Sequence, residues 1–255
     1  MFIIFNVKKN DLISNMVFYI HKSLVWSALI LSFSFSSSHS TKKPYEILSS
    51  LSEDNGWKYV STQNNINLSI KDINQGNTLA VKVQKETDIP HEVIVNILMD
   101  IKNYGSYLKS SKSLKFSEVR REKNSVEGHH FIPVNIPFIK NREYYFRMHP
   151  NNYQIKQTNT FLHWYLIENI FSMDKQPDWN LNTSVYLDVG AGVWNKEELA
   201  NGNYLLSYRL ILNPGGSLPD ALIDRLNKVS VVNIFDDIIH EAERRVSMGF
   251  QKSLN

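Results

Sequence analysis

The sequence predicts a single α+β domain in which a curved antiparallel β-sheet wraps around a long C-terminal α-helix and an internal apolar cavity. Two observations predict this class. Segments with strand-like alternation, separated by turn residues, follow one another along most of the chain, which is typical of an antiparallel meander. The chain then ends in one long helical pattern with a single apolar stripe, so this helix can close one face of the sheet.

Composition limits the classes of function. The chain has 255 residues, of which 42% are hydrophobic and 12% aromatic, enough for one sizeable core. The 28 basic and 25 acidic residues give a net charge of only +3, which does not indicate a nucleic-acid-binding surface. Because the sequence contains no cysteine, it excludes thiol catalysis, disulfide bonds and cysteine-ligated zinc.

Residues 1–40 are predicted to be a signal peptide. An apolar run at 24–35 follows Lys22 and precedes small residues up to Ser40, which is the pattern of a secretory signal. The run is shorter than the roughly 20 residues that a transmembrane helix needs. We expect cleavage near Ser40 and a secreted or periplasmic protein, with Met16 as an alternative start that gives the signal an ordinary length. An uncleaved N-terminal membrane anchor is the other interpretation.

The first part of the mature chain is predicted to be a helix, three strands and a second helix. Ile47, Leu48 and Leu51 recur at helical intervals. The second helix starts after Asp88, with Pro90 near its first turn, and breaks at 104–105. Strands are predicted at 57–63, 66–73 and 78–86, and after the second helix at 114–123, 125–134, 139–149, 161–170, 184–193 and 204–212.

The last predicted element is the long C-terminal helix. Ser217 and Asp220 have the spacing of a helix-start capping motif, and Pro219 fits a first helical turn. A helix from there to about Val246 would be roughly 40 Å long at about 1.5 Å per residue, enough to lie across a whole sheet. Its predicted apolar stripe consists of Leu222, Leu226, Val229, Val232, Phe235, Ile239, Ala242 and Val246.

This order of elements resembles the START (StAR-related lipid transfer) domain of the helix-grip, Bet v 1-like superfamily. Four strings carry the resemblance: Gly56-Trp57-Lys58, Asp88-Ile89-Pro90, the segment 133–144 and the segment 214–219. It covers most of the mature chain, so residues 41–250 are assigned to a START-like lipid-binding domain. The resemblance implies a helix-grip fold around a lipid-binding cavity. The sequence has Arg142-Glu143 where the family more often has Arg-Asp, which affects polar recognition in the pocket rather than the fold.

No motif indicates catalysis, a metal or a cofactor. The sequence contains no His-Glu-x-x-His, no Gly-x-Ser-x-Gly and no phosphate-binding loop. His129 and His130 are adjacent on a strand, so their side chains point to opposite faces and cannot share one metal. The segment Gly190-Ala-Gly192 is interpreted as a bend or bulge. The polar residues between Asp236 and Glu241 are interpreted as a solvated helix face.

Strand alternation predicts the ligand-binding residues. Arg142 shares a face with apolar residues of its strand, so we expect it to face the cavity and to pair with Glu168, Asp188 or a lipid headgroup. The alternative is that Arg142 lies at the strand end and extends to water. The predicted ligand-binding residues are Arg142, Tyr144, Phe146, Met148, Trp164, Leu166, Glu168, Tyr208, Leu210, Leu222, Leu226 and Val229.

These features predict a monomer that binds a lipid or other hydrophobic small molecule. Transfer of the ligand and transient contact with membranes are predicted as extensions of this function. Each buried methylene contributes roughly 0.8 kcal/mol, so few polar contacts are needed. The C-terminal helix is expected to gate the cavity, with Gly215-Gly216 as the hinge. Two alternatives stay open. One is a superfamily enzyme, cyclase- or hydrolase-like, that uses cavity residues such as His130, His163 and Glu168; the other is a structural domain whose own side chains fill the cavity.

Overall fold

The computed structural model describes residues 44–73, 78–134, 139–150, 159–168, 184–215 and 220–253. Within these ranges the side chains of 78, 220–229 and 250–253 are not described. The predicted signal peptide and the Ser217 capping motif lie outside the described residues. Among the residues that are described, no helix is both long enough and apolar enough to cross a bilayer.

The described chain forms four α-helices and ten β-strands. The helices are α1 (Pro44–Ser52), α2 (His91–Leu98), α3 (Tyr104–Tyr107) and α4 (Asp220–Ser253). Two 3₁₀ turns, Ile101–Asn103 and Lys109–Ser111, flank α3. The strands are β1 (Lys58–Gln63), β2 (Ile66–Ile73), β3 (Thr78–Thr87), β4 (Lys115–Glu122), β5 (Ser125–Ile132), β6 (Asn141–Pro150), β7 (Thr160–Ile167), β8 (Ser184–Tyr186), β9 (Gly190–Glu198) and β10 (Tyr204–Leu212).

All ten strands belong to one sheet. Its order is β1-β2-β3-β10-β9-β7-β6-β5-β4, and the strands next to one another in this order pair antiparallel. The pairing of β3 with β10 joins the N-terminal meander to the last strand, which makes the sheet continuous. The α+β class and the antiparallel sheet of the prediction are therefore confirmed.

Local turn chemistry explains the first hairpin. Asn64 and Asn65 connect β1 to β2 with φ angles of 53° and 59°, in the left-handed region. A two-residue hairpin whose twist matches its strands needs positive φ at both positions, and asparagine tolerates it better than most residues. Strands 66–73 and 204–212 have the predicted bounds.

Two predictions place an element boundary wrongly. The strand predicted at 184–193 is two strands, because β8 pairs parallel with the start of β6 whereas β9 pairs with β7 and β10. The predicted break at Tyr104-Gly105 instead starts α3, since the chain has already left α2 at Leu98.

The larger hydrophobic core lies between α4, α2 and the face of the sheet that we call the inner face, which carries Val81, Phe146, Trp164, Trp194 and Leu210. The Trp194 ring stacks with two aromatic rings. Its centroid lies 5.5 Å from that of Phe235 of α4 and 4.4 Å from that of Tyr208 of β10. The buried stripe of α4 consists of Val231, Val232, Phe235, Ile238, Ile239 and Ala242. Val246 was predicted to belong to it but is 38% exposed, because the helix continues beyond the last residue that the core covers.

The opposite, outer face packs against α1. Its apolar residues Ala80, Ala191, Val193 and Ile211 form a second core with the buried side of that helix. Arg209, also on this face, donates hydrogen bonds to the carbonyls of Leu51 and Ser52 at the C-terminal end of α1. A cation at that end satisfies unpaired carbonyls and the helix dipole, so Arg209 fixes α1 to the sheet.

Two further sequence interpretations need correction. The segment Gly190–Gly192 is not a bulge, since its register with β10 is continuous; Gly192 instead allows a close approach of the Trp164 ring. The polar residues of α4 between 236 and 241 form a solvated face only in part, since His240 is exposed but Asp237 and Glu241 are buried. Asp237 is buried and accepts hydrogen bonds from the Ser110 backbone N–H and Oγ, at 2.9 and 3.0 Å. Glu241 is likewise buried, and its carboxylate accepts hydrogen bonds from two arginines of its own helix, which compensate the buried charge.

Candidate functional site

An apolar cavity lies between the inner face of the sheet, α2, α3 and α4. It has two adjoining chambers of about 80 and 110 Å³. The first chamber is lined among others by Leu98, Phe116, Phe146, Met148, Trp194 and Ile238. The second is lined among others by Leu114, Ile132, Leu187, Leu210, Leu212 and Val231. Each chamber is comparable in scale to a cavity of about 150 Å³ that admits benzene.

Most of the sequence-predicted site residues lie at this cavity. Tyr144, Phe146 and Met148 of β6 line the first chamber, and Leu210 lines the second. Trp164 of β7 and Tyr208 of β10 line both chambers, as Tyr144 does. The inward faces of these strands therefore follow the alternation in the sequence, and the binding role of the residues stays a prediction. The side chains of Leu222, Leu226 and Val229 lie outside those described.

Two predicted site residues do not line either chamber. Leu166 is buried in the core, where its side chain lies against Gly190. Glu168 follows the end of β7 and is exposed to solvent, so its inward placement is wrong. The alternation rule fails there because the strand ends at Ile167, and beyond a strand end the backbone no longer alternates.

Arg142 lies at the second chamber, but without the predicted carboxylate partner. Both candidates, Glu168 and Asp188, are exposed. The guanidinium instead donates to the backbone carbonyls of Pro214, at 2.9 Å, of Gly215, at 3.1 Å, and of Lys140. It is buried, so the alternative in which it extends to water is also wrong. Arg142 thus ties the start of β6 to the segment after β10.

The polar side chains at the cavity form hydrogen bonds within its wall. The Trp164 indole N–H donates to the Tyr208 hydroxyl at 3.0 Å, and His130 Nδ1 lies 2.6 Å from the Tyr144 hydroxyl. Tyr107 donates its hydroxyl to the Ile97 carbonyl at 2.7 Å. The Tyr104 hydroxyl donates to the Leu98 carbonyl in the same way.

Comparison with known proteins gives similarity at the level of structure. No family model matches the sequence, and no curated protein matches it. A STAR-related lipid transfer protein from Xanthomonas axonopodis superposes with a TM-score of 0.58 at 12% identity, covering 74% of this chain and 99% of that one. Human STARD10 gives 0.57 at 15% identity, covering 83% and 82%. Human StAR-related lipid transfer protein 5 gives 0.57 at 13% identity, covering 80% and 93%.

The chain has a START-like helix-grip fold. The resemblance drawn from four sequence strings and the element order is thereby confirmed for the fold. At these identities the likeness establishes the fold alone, so the use of the cavity has to be argued from the residues of this chain.

Apart from Arg142, His130 and the tyrosines at the cavity of this START-like fold are uncharged at neutral pH. Burial, together with repulsion from His129, lowers the pKa of His130 to about 3. Burial likewise raises the pKa values of Tyr144 and Tyr208 well above that of a free tyrosine, because a phenolate would be poorly solvated there. The cavity therefore favours a ligand portion without charge.

The residues considered for an enzymatic role are not brought together. His130 faces the cavity, His163 lies on the outer face stacked on His149 at 5.2 Å, and Glu168 is exposed. His129 also faces outward, where its Nε2 lies 3.1 Å from Glu143 Oε2, so the two adjacent histidines do occupy opposite faces. Across the described ranges, no three His, Asp or Glu side chains cluster as metal ligands would.

Sequence reasoning missed several cavity residues. Phe116, Trp194 and Ile234 line it, and His130 was considered only for catalysis. The alternation of side chains along β9 could have identified Trp194, since Gly192 and Trp194 share a face of the strand. Ile234 lies beside the predicted stripe of α4, three residues after Val231, and a wider stripe would have included it.

Proposed function

We propose that the protein binds a lipid or another hydrophobic small molecule in the cavity between the inner face of the sheet and α4. The observation that carries the proposal is the pair of apolar chambers in an otherwise close-packed core. At about 24 cal/mol per Å³, empty space of this size costs on the order of 2 kcal/mol per chamber. An apolar guest that fills the chambers recovers that cost, in addition to the burial of its own surface.

The fold and the wall chemistry support binding without bond chemistry. Two of the three solved structures compared above are described as lipid transfer proteins. The described side chains that face the cavity are apolar or uncharged, except Arg142, which already donates to three backbone carbonyls. A general acid and base would need two titratable groups facing one point in the cavity. His130 and Tyr144 are such a pair, but burial lowers the pKa of His130 to about 3 and raises that of Tyr144, which makes the imidazole a weak base and the phenol a weak acid.

Native mass spectrometry of the purified mature protein tests the proposal. We expect a co-purifying apolar molecule, or uptake of a fluorescent long-chain fatty acid after organic extraction. Ile234, which lines both chambers from α4, offers a cavity-filling variant, Ile234→Trp. The matched control is His240→Trp on the exposed side of the same helix.

The proposal predicts that Ile234→Trp loses the ligand while His240→Trp retains it. Wild-type protein that neither co-purifies with a ligand nor takes up the probe would overturn the proposal. Uptake that Ile234→Trp leaves unchanged would place the ligand elsewhere.

Release and transfer of the ligand are extensions of the same proposal. Gating by the first turns of α4 concerns residues 216–229, whose side chains lie outside those described. Of the predicted hinge, only Gly215 is described, with a φ of 60° and a carbonyl that accepts from Arg142. The measurement is transfer of the fluorescent fatty acid from donor to acceptor vesicles. Transfer no faster than spontaneous exchange would leave binding as the whole function.

We also propose that the protein is exported and acts outside the cytoplasm as a monomer. This proposal is supported by the signal-like segment 1–40 of the sequence. The intact mass of protein recovered from the periplasm or medium should correspond to a chain that begins near Thr41. A chain retained in the membrane with its full N-terminal segment would instead favour an anchor.

A further inference from the structure

Four side chains that carry hydrogen-bonding groups lie where the two chambers of the cavity meet. His130, Tyr144, Trp164 and Tyr208 line both chambers, and we call these four residues the polar waist. On either side of the waist the described lining is largely leucine, isoleucine, valine, phenylalanine and methionine. A guest that spans both chambers would therefore meet hydrogen-bonding groups near its middle.

The hydrogen bonds within the waist leave one group unpaired. His130 is only 4% exposed, and its Nδ1 is engaged by the Tyr144 hydroxyl at 2.6 Å. Its Nε2 is buried and has no hydrogen-bond partner among the described residues. The Tyr208 hydroxyl accepts from Trp164, so its own proton is available to a further acceptor. A buried polar atom left unpaired is costly, which makes each such case informative.

Packing alone does not account for a histidine at this position. The His130 ring stacks on Phe116 with centroids 4.0 Å apart and lies edge-on to Tyr144. A phenylalanine could make the same ring contacts without burying a nitrogen that lacks a partner. The hydrogen bond to Tyr144 accounts for Nδ1, so it is the unpaired Nε2 that is best explained by a partner that the chain itself does not supply.

We propose that His130 Nε2 binds one uncharged hydroxyl group of the ligand at the polar waist. The inference rests on the proposed function and specifies its ligand as a mainly apolar alcohol. A hydroxyl group both donates and accepts, so it can pair with Nε2 whichever nitrogen of the ring carries the proton. A carboxylate or phosphate would find no cation at the waist, since Arg142 lies in the second chamber and is engaged by carbonyls.

The test uses two probes that differ by one group: 2-naphthol and 2-methylnaphthalene, in which a methyl replaces the hydroxyl. Affinities are measured by calorimetry on the whole mature protein. We expect the wild type to bind 2-naphthol about tenfold more tightly, the ratio that one hydrogen bond of typical net strength provides. His130→Phe should abolish this preference and keep or improve binding of 2-methylnaphthalene.

His163→Phe is the matched control. His163 is another buried histidine whose two ring nitrogens lack partners, but it lies on the outer face, so its replacement should keep the tenfold preference. If His130→Phe does not fold, ¹⁵N spectra of the wild-type histidines provide the second measurement: 2-naphthol should shift His130 Nε2, and 2-methylnaphthalene should not.

The outcomes separate this inference from the proposed function. Equal wild-type affinity for both probes, or a preference that survives in His130→Phe, overturns the role of His130 and leaves the binding function intact. If the wild type binds neither probe, the result contradicts both the cavity as a binding site and the role of His130 that depends on it.

Discussion

Replacing Gly192 with alanine should force the Trp164 ring out of its position on the sheet. The two residues are paired across β9 and β7. A Cβ at Gly192 would lie 2.3 Å from the indole Nε1 and 2.7 Å from Cε2, closer than non-bonded atoms approach. The ring has little freedom to yield, because it is buried and stacked parallel to Tyr144 at 6.3 Å.

The expected cost has two parts. Overpacking a close-packed core costs about 1–3 kcal/mol. The displaced indole also loses its 3.0 Å hydrogen bond to the Tyr208 hydroxyl, worth about 1 kcal/mol. We therefore expect the free energy of unfolding to fall by about 2–4 kcal/mol, and Tm by roughly 5–10 °C for a domain of this size.

Urea unfolding followed by tryptophan fluorescence measures the difference. Gly105→Ala is the control, because a Cβ there meets nothing within 4 Å, and in α3 alanine should be neutral or stabilise by up to about 1 kcal/mol. Combining Gly192→Ala with Trp164→Phe, which removes the clashing atoms, should lower the cost of the alanine below about 1 kcal/mol. An unchanged cost in the Trp164→Phe background would refute the clash as its cause.

Three further predictions concern buried polar groups. Burial lowers the pKa of His163 to about 4, against 6.5 for the free side chain. Below pH 6.5 the unfolded chain therefore binds more protons than the folded one, and the free energy of unfolding falls by up to about 3 kcal/mol as the pH falls towards 4. Urea unfolding at pH 7 and 4.5 should show a smaller loss of stability in His163→Phe than in the wild type, and equal losses would contradict this. Arg142→Met should destabilise by about 2–4 kcal/mol because three carbonyls lose their donor, whereas Arg120→Met, at a side chain 54% exposed, should change stability by less than about 0.5 kcal/mol. Asp237→Ala should cost about 1–2 kcal/mol in a thermal melt through its two hydrogen bonds to Ser110, and an unchanged Tm would show that they contribute nothing.

The fold could be predicted because its determinants are local in the sequence. The alternation in 204–212 and the Asn64-Asn65 turn place β10 and the first hairpin without tertiary information. The boundary between β8 and β9 could not be predicted in this way. Residues 184–193 have one strand-like pattern, and the chain divides there because β8 pairs with β6 whereas β9 pairs with β7 and β10. Partner choice is a long-range property that the local pattern does not carry.

The sequence predicts which strand residues face the candidate site, but it does not predict their hydrogen bonds. The alternation of side chains along the strands correctly predicts that Tyr144, Trp164 and Tyr208 line the cavity. The alternation also predicts the position of Arg142, but the predicted carboxylate partner is wrong. The sequence does not show that the segment around Pro214 passes close enough for its backbone carbonyls to accept hydrogen bonds from Arg142. The unpaired nitrogen of His130 depends on which side chains approach it, which only the packed structure defines.

The width of the cavity depends on where glycine stands opposite an aromatic residue on the inner face. Gly128 pairs with Phe146 across β5 and β6, as Gly192 pairs with Trp164. A Cβ at Gly128 would lie 2.5 Å from the Phe146 ring, so at both positions an aromatic ring occupies the space above the glycine. Rings held against the sheet form part of a wall, whereas rings pushed away from it would enter the chambers. A glycine in a strand interior marks such an approach, and Gly128 and Gly192 thereby help to keep open the space in which we propose that a ligand binds.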